Sequence, residues 1–155
     1  MDIVKKPRIG VIGGNHAGPE FLDMAREVGR LVAGRGGVLV CGGLGGVMEA
    51  AARGAKEAAG LTIGIVPGNH PGEANPFIDV PIATGLGYTR NSLVVMNADV
   101  VIAVDGEYGT LSEIAYAVVF GKKVFGLGTW DIKGVVRADG PRDAVERAFA
   151  ALGRN

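Results

Sequence analysis

Arg90 and Glu113 are the two charged residues whose surroundings in the sequence favour chemistry on a phosphorylated ligand. Arg90 stands at the start of a predicted helix, where a guanidinium can hold a phosphate or a carboxylate through two hydrogen bonds. Glu113 lies one helical turn after Gly109, where a carboxylate can accept hydrogen bonds from ribose hydroxyls or orient a water molecule. A surface salt bridge for Arg90 and a solvated helix face for Glu113 are the alternative interpretations.

Three glycine-rich stretches stand where apolar runs end and helical patterns begin. We call them the first, second and third glycine turns: Gly13-Gly14-Asn15-His16-Ala17-Gly18, Gly42-Gly43-Leu44-Gly45-Gly46 and Gly106-Glu107-Tyr108-Gly109-Thr110. At such junctions free backbone N–H groups and the positive end of a helix dipole face the same place, and the absent side chains let a phosphate approach. The predicted phosphate cradle consists of Gly13, Gly14, Gly43, Gly45, Gly46, Gly109 and Thr110. Asn15, Gly106 and Glu107 complete the predicted ligand contacts, with Arg90 and Glu113 fixing the rest of the ligand.

Other motifs in the chain argue against several classes of enzyme. The first turn is not a G-x-G-x-x-G, and no G-x-x-x-x-G-K-[ST] exists, so neither NAD binding nor ATP hydrolysis is indicated. No G-x-S-x-G nucleophile turn is present. His16 and His70 are the only histidines, which is too few for a typical three-ligand zinc site without carboxylate help, and Cys41 is the only cysteine. The sequence therefore predicts no metal site formed by protein side chains.

Short β-branched runs alternate with helical patterns along the whole chain. The predicted strands are 8–13, 38–41, 61–66, 100–104 and 123–127, with a weaker one at 80–83. Apolar residues recur at helical spacing over 21–32, 47–55, 111–118 and 145–152, and a further short helix is predicted over 90–97. This alternation predicts a single α/β domain over residues 1–155, with a Rossmann-like three-layer αβα architecture and a mostly parallel sheet.

The segment 67–76 interrupts the alternation. It contains three prolines and two glycines, a composition that predicts neither helix nor central strand. Because it follows a strand, we expect it at the carboxyl edge of the sheet, where open α/β sheets bind their ligands. It is either a lid or pocket wall, or a plain surface loop.

The composition of the chain limits the binding partners and the cellular location that we expect for the protein. Sixteen basic and sixteen acidic residues give a formal net charge of zero, which argues against binding to a nucleic acid backbone. No apolar run approaches the roughly 20 residues that span a bilayer, and the N-terminus resembles no signal peptide. We therefore expect a cytoplasmic protein that binds neither nucleic acid nor membrane.

The motifs now described resemble those of the Lonely Guy proteins, which are also known as "possible lysine decarboxylases". The segment 42–50 resembles their G-G-x-x-G-x-M motif, 88–91 with 97–101 resembles their arginine-bearing helix and following strand, and 105–113 resembles their P-G-G-x-G-T-x-x-E signature. The resemblance covers nearly the whole chain in matching order. It implies a homodimer or homotetramer assembled through the Arg90 helix and its neighbours.

Three positions depart from that pattern. Asp105 stands where the family has proline, Glu107 where it has the second glycine, and Asn91 where it has the lysine after the arginine. The resulting G-E-x-G-T-x-x-E variant more closely resembles the molybdenum-cofactor carrier branch, whose members bind their cofactor without transforming it. This resemblance implies a pocket for a phosphorylated pterin.

Three functions follow from the residues and the resemblance together. The first is binding of the molybdenum cofactor (molybdopterin) or a related nucleotide. The second is hydrolysis of the N-glycosidic bond of a nucleoside 5′-monophosphate, in which the resemblance gives the catalytic roles to Arg90 and Glu113. The third is a nucleotide sensor that reports to a partner. Lysine decarboxylation is rejected, because none of the six lysines stands in a recognisable pyridoxal phosphate motif.

Overall fold

The computed structural model describes residues 6–153. Seven strands form one sheet: β1 Arg8–Gly13, β2 Val38–Cys41, β3 Thr62–Val66, β4 Val80–Ala83, β5 Val100–Val104, β6 Val124–Leu127 and β7 Val135–Arg137. Five α-helices accompany them: α1 Pro19–Gly34, α2 Val47–Glu57, α3 Asn91–Met96, α4 Tyr108–Val119 and α5 Pro141–Ala151. Two short 3-10 turns occupy Pro71–Glu73 and Gly87–Arg90.

The sheet is parallel throughout, in the order β4-β3-β2-β1-β5-β6-β7. The chain builds outward from β1 to β4 on one side and then returns to place β5 against the other side of β1. Ile9 to Gly13 of β1 pair in register with Val100 to Val104 of β5. The strand order therefore reverses between β1 and β5, and a crevice opens outside their carboxyl ends at such a point.

Helices cover both faces of the sheet and bury its strands from each side. One core cluster joins alternate strand residues such as Ile9 and Val11 to α1, α2 and α5. A second cluster joins the intervening residues, such as Ile12 and Val101, to α3 and α4. Strands buried on both faces need a continuous apolar sequence rather than alternation, as β2 and β5 have. The predicted Rossmann-like αβα architecture is confirmed.

Several details differ from the sequence predictions. Strand β7 was not predicted, because its three residues are half-buried or exposed at the sheet edge and form no apolar run. The segment 67–76 contains a 3-10 turn, which its prolines had been expected to exclude. Pro71 stands at the first position of this turn, where a missing N–H is tolerated. The helix predicted over 90–97 is shorter at both ends, and Arg90 itself closes the preceding 3-10 turn.

None of the helices formed within residues 6–153 is long and apolar enough to cross a membrane.

Candidate functional site

A cleft of about 270 Å³ lies at the crevice between β1 and β5. Its lining residues come from all three glycine turns, from α2 and α4 and from the Arg90 segment: Gly13, Gly14, Asn15, His16, Leu44, Met48, Tyr88, Arg90, Asn91, Glu107, Gly109, Thr110 and Glu113. Eight of the twelve predicted ligand contacts are among them, including Arg90 and Glu113. The fold thus brings together residues that are separated by up to 100 positions in the chain.

The first and second glycine turns hold each other by hydrogen bonds. The Gly45 N–H donates to Asn15 Oδ1 at 2.9 Å, and the Val47 N–H donates to the Gly14 carbonyl at 3.0 Å. A Cβ on Gly46, whose φ is +61°, would lie 2.3 Å from the Gly14 oxygen. These contacts use N–H groups at the start of α2 within the protein. Gly43, Gly45 and Gly46 shape this junction and do not line the cleft.

The third glycine turn leaves its backbone donors open. The first helical hydrogen bond of α4 runs from the Leu111 N–H to the Glu107 carbonyl. The N–H groups of Tyr108, Gly109 and Thr110 donate to no acceptor within residues 6–153. They point out of the helix N-terminus, where the dipole favours an anion. The third turn therefore offers an open anion cradle at the cleft.

A close backbone approach shapes the third turn. Gly106 has a φ of +106°, and a Cβ there would lie 2.4 Å from Thr110 Oγ1, so only glycine fits. Thr110 is buried and turns its side chain onto the Gly106 backbone. Gly106 itself supports the turn from behind and does not line the cleft.

The loop after β6 braces the third turn through residues that do not line the cleft. The Thr129 hydroxyl donates to the Asp105 carbonyl at 2.7 Å, and the Trp130 indole N–H donates to the Glu107 carbonyl at 3.0 Å. The Trp130 ring also lies 5.7 Å from the ring of Tyr108. Sequence analysis missed this brace, because nothing in the spacing of Thr129 and Trp130 relates them to the turn.

Arg90 is buried beneath the cleft, with 7% of its surface exposed. Its Nε donates to the Ile65 carbonyl at 2.7 Å, its Nη2 donates to the Gly42 carbonyl at 3.1 Å, and its Nη1 donates to Asn91 Oδ1. Burial lowers the pKa of the guanidinium, and the nearby Glu113 carboxylate opposes that effect. Three of five N–H bonds are therefore used within the protein, and one on each terminal nitrogen remains.

Glu113 is also buried, with 6% of its surface exposed, and lines the floor of the cleft. Burial raises the pKa of its carboxyl group to about 8, and the positive charge of Arg90 only partly offsets this. Among the described residues, no nitrogen of Arg90 lies within 4.0 Å of a carboxylate oxygen of Glu113, so the two form no ion pair. At neutral pH the group is therefore mainly a neutral acid that can donate a hydrogen bond.

Other predicted residues lie elsewhere or contribute differently. The 67–76 segment does not line the cleft. It is tied to the second turn by Asn75, whose Nδ2 donates to the Leu44 carbonyl at 2.9 Å. Asn91, which entered the sequence analysis only as a departure from the family pattern, is buried at the cleft. Tyr88 lies at the cleft mouth, 87% exposed.

Comparison with protein families matches residues 6–148 to the model of the SLOG cluster4 family. These residues contain every element of the fold except the end of α5. The match therefore covers the complete sheet and all three glycine turns.

Two solved structures resemble the chain over nearly its full length. One is the molybdenum cofactor binding protein of Rippkaea orientalis, with 39% identity and a TM-score of 0.90, covering 96% of this chain and 98% of that one. The other is the Moco carrier protein of Chlamydomonas reinhardtii, with 35% identity and a TM-score of 0.86, covering 97% and 99%.

A curated relative carries a different name. The cytokinin riboside 5′-monophosphate phosphoribohydrolase of Mycobacterium tuberculosis is 36% identical over 124 residues, which are 77% of this chain and 63% of that protein. The chain is thus similar both to molybdenum-cofactor carriers and to a phosphoribohydrolase, the two kinds of protein that its motifs resemble.

Proposed function

The chain belongs to the SLOG cluster4 family, and from that premise we propose that it binds the molybdenum cofactor, a phosphorylated pterin, or a related nucleotide, without transforming it. The observation that carries this proposal is the likeness, over nearly the full length, to two proteins whose names state that they bind or carry this cofactor. The cleft between β1 and β5 is the proposed binding site.

The donors of the cleft suit a terminal phosphate. The free N–H groups of Tyr108, Gly109 and Thr110 and the positive end of α4 form one side of the proposed phosphate site. The two remaining N–H bonds of Arg90 add a positive charge. Glu107 is exposed at the rim, so its carboxylate can turn to solvent rather than face the phosphate.

The remaining walls of the cleft suit a planar ring. Leu44 and Met48 provide apolar surface, and the exposed ring of Tyr88 stands at the mouth. Neutral Glu113 can donate a hydrogen bond to a ring carbonyl or nitrogen. When bound, the cofactor would bring its own metal ligands, since no cluster of three or more metal-binding side chains occurs among residues 6–153.

Retention of the cofactor tests this proposal. Molybdenum cofactor released from a purified molybdoenzyme is incubated with the protein, and the pterin that co-elutes in gel filtration is measured as its fluorescent oxidation product. We expect wild type and Gly72→Ala to retain it, because a Cβ at Gly72 meets open space. We expect Gly109→Ala to retain at least about tenfold less, since a methyl group there intrudes on the cleft.

Gly109→Ala is a suitable variant because it spares the fold. Its Cβ would meet only Asn91 Nδ2, at an ordinary 3.7 Å, and alanine is favoured over glycine in a helix. Wild-type protein that is folded but retains no pterin would overturn the cofactor proposal.

A second candidate function is hydrolysis of a nucleoside 5′-monophosphate. It is favoured by the phosphoribohydrolase relative and by the meeting of Arg90 and Glu113 in one cleft. The protonation of Glu113 argues against it, because an oxocarbenium-like ribose is stabilised by a carboxylate and not by a neutral acid. Chromatography of AMP reactions for free adenine tests it, with Glu113→Gln as the control. Release that disappears in the variant would establish the enzyme.

We also propose that the protein assembles as a homodimer or homotetramer. Glu113, the only charged residue of α4, faces the cleft, so the outer face of this helix carries no charge. Tyr116, Val119 and Phe120 are exposed there, Val119 by 77%. A helix face without charges is usually covered by another protein surface.

The remaining proposals concern the domain boundaries, the cellular location and the partners of the protein. We propose that residues 1–155 act as one cytoplasmic domain, whose partners are a small phosphorylated ligand and further copies of itself. The neutral net charge supports the absence of nucleic acid from this set.

A further inference from the structure

Asn91 links the Arg90 guanidinium to the first turn of α4. Its Oδ1 accepts from Arg90 Nη1, and its Nδ2 donates to Ser112 Oγ at 3.1 Å. The Ser112 hydroxyl in turn donates to the Gly109 carbonyl at 2.6 Å. Arginine can only donate, so the direction of every bond in this chain is fixed. Asn91 is 3% exposed, so its hydrogen-bonding groups are satisfied mainly by the protein.

Three hydrogen-bond acceptors hold the Arg90 guanidinium, each through a different nitrogen atom. The carbonyls of Ile65 and Gly42 fix Nε and Nη2, whereas only Asn91 fixes Nη1. Without Asn91, Nη1 would lose its acceptor in a buried place, which costs free energy. Glu113 lines the same cleft and is the buried acid whose charge acts on Arg90. An ion pair between the two is therefore the expected replacement.

Few charged or titratable groups surround Glu113. Arg90 is the cation that acts on it, and buried Cys41, whose thiol has its pKa raised to about 11 by burial, stays neutral. His16 and Glu107 line the cleft from the first and third turns, and both are exposed to solvent. The ionisation of Glu113 therefore depends mainly on its burial and on where the Arg90 guanidinium stands.

We infer that Asn91 is a positioning residue that holds Arg90 apart from Glu113, so that the guanidinium serves the ligand phosphate and the carboxyl group stays free for the rest of the ligand. This inference rests on the proposed binding of a phosphate in the cleft. Loss of Asn91 lets Arg90 pair with Glu113, and the cleft then presents a neutralised pair in place of a cation and an acid.

Titration of Glu113 in the ligand-free protein tests the first half of this inference. The ¹³C carboxyl signal of Glu113 is assigned by its disappearance in Glu113→Gln and followed against pH. In Asn91→Ala we expect its midpoint to fall by at least about one pH unit, because a close cation favours the charged form. In Asn91→Asp, which keeps an acceptor for Nη1 and adds a buried negative charge, we expect the midpoint to rise. Opposite shifts from one position are not produced by a general loss of stability.

Binding of ribose 5-phosphate tests the second half, since this probe has the phosphate and no glycosidic base to release. By calorimetry at pH 7 we expect Asn91→Ala to bind it about tenfold more weakly than wild type. Ser112→Ala is the matched control, because it alters the same chain of hydrogen bonds but leaves the Arg90–Asn91 bond in place. Both its affinity and its Glu113 midpoint should stay close to wild type.

The outcomes separate this inference from the proposed function. A Glu113 midpoint that is unchanged in Asn91→Ala, or that moves in the same direction in Asn91→Ala and Asn91→Asp, would overturn the role of Asn91. Folded wild-type protein that fails to bind ribose 5-phosphate would overturn the phosphate site, while the ligand-free titration still decides whether Asn91 positions Arg90.

Discussion

Asp105 adopts a left-handed backbone conformation at the entrance to the third glycine turn, with a φ of +50°. Its N–H donates to the Leu127 carbonyl at 3.0 Å. A proline ring holds φ near −65° and has no N–H, so the residue of the Lonely Guy signature cannot occupy this backbone conformation. At the scale of one residue, this turn is thus built differently from the pattern that it resembles.

Substitution of Asp105 provides a direct measurement of that difference. We expect Asp105→Pro to lower the free energy of unfolding by more than about 3 kcal/mol, through the lost hydrogen bond and the forbidden φ. Asp105→Gly, which accepts this φ without strain, should stay within about 1 kcal/mol of wild type. Urea denaturation of the three proteins is the measurement. Equal stability of the proline variant would mean that the turn readily adopts the family conformation.

Glu113 makes the stability of the protein depend on pH in a predictable direction. Burial raises its pKa in the folded protein from 4.5 to about 8, so the folded state holds a proton that the unfolded chain has released. The stabilisation is complete below pH 4.5 and is lost as pH rises towards 8. Between these limits we expect wild type to lose on the order of 4 kcal/mol relative to Glu113→Gln.

Denaturation of wild type and Glu113→Gln at pH 5, 6, 7 and 8 checks this expectation. The difference between the two proteins isolates Glu113, because Glu27 and Asp79, whose pKa values are lowered by basic partners, contribute equally to both. Parallel pH profiles would show that Glu113 ionises normally in the folded state.

Helices α1 and α2 pack through glycines at the scale of the element. A Cβ on Gly29 would lie 1.9 Å from the Ala51 carbonyl oxygen, and one on Gly54 would lie 1.8 Å from that of Arg26. The two backbones therefore touch without side chains between them. The second glycine turn directly precedes α2, and the first directly precedes α1. The contact between the two helices therefore helps to fix the two turns relative to each other.

Alanine at this crossing should separate the two helices. We expect Gly54→Ala to lower the free energy of unfolding by at least about 2 kcal/mol, because a clash with backbone is not relieved by rotating a side chain. The melting temperature should then fall by roughly 4–8 °C. Gly34→Ala at the end of α1, where a Cβ meets nothing within 4 Å, is the control and should be neutral or slightly stabilising. A neutral Gly54→Ala would mean that the crossing opens at little cost.

The uncharged face of α4 is a property of the whole molecule, because its meaning depends on what covers it. We expect Val119→Lys, at a position 77% exposed, to shift the proposed oligomer towards monomer, since a charge in an apolar interface is costly to desolvate. Light scattering coupled to gel filtration measures the mass. Ile132→Lys, in the loop before β7, is the control and should leave it unchanged. A monomeric wild-type protein would contradict the proposed assembly.

The layered fold and the location of the cleft follow from the sequence by itself. Uninterrupted apolar runs such as β2 and β5 require cover on both faces, and their alternation with helical patterns indicates a parallel sheet between two helical layers. Because parallel strands share a carboxyl edge, glycine turns that follow such strands meet there whatever the details of packing. That is why Gly13, Arg90 and Thr110 could be assigned to one site in advance.

Tertiary structure alone decided which polar groups remain free for a ligand. At the second turn the N–H groups of Gly45 and Val47 are used on Asn15 and Gly14, whereas at the third turn those of Tyr108 to Thr110 stay open. Arg90 is held by the Gly42 carbonyl from 48 positions away, and Asn91 by Ser112 from 21 positions away. Hydrogen bonds between such distant segments depend on how the elements pack together, and no local pattern of residues encodes them.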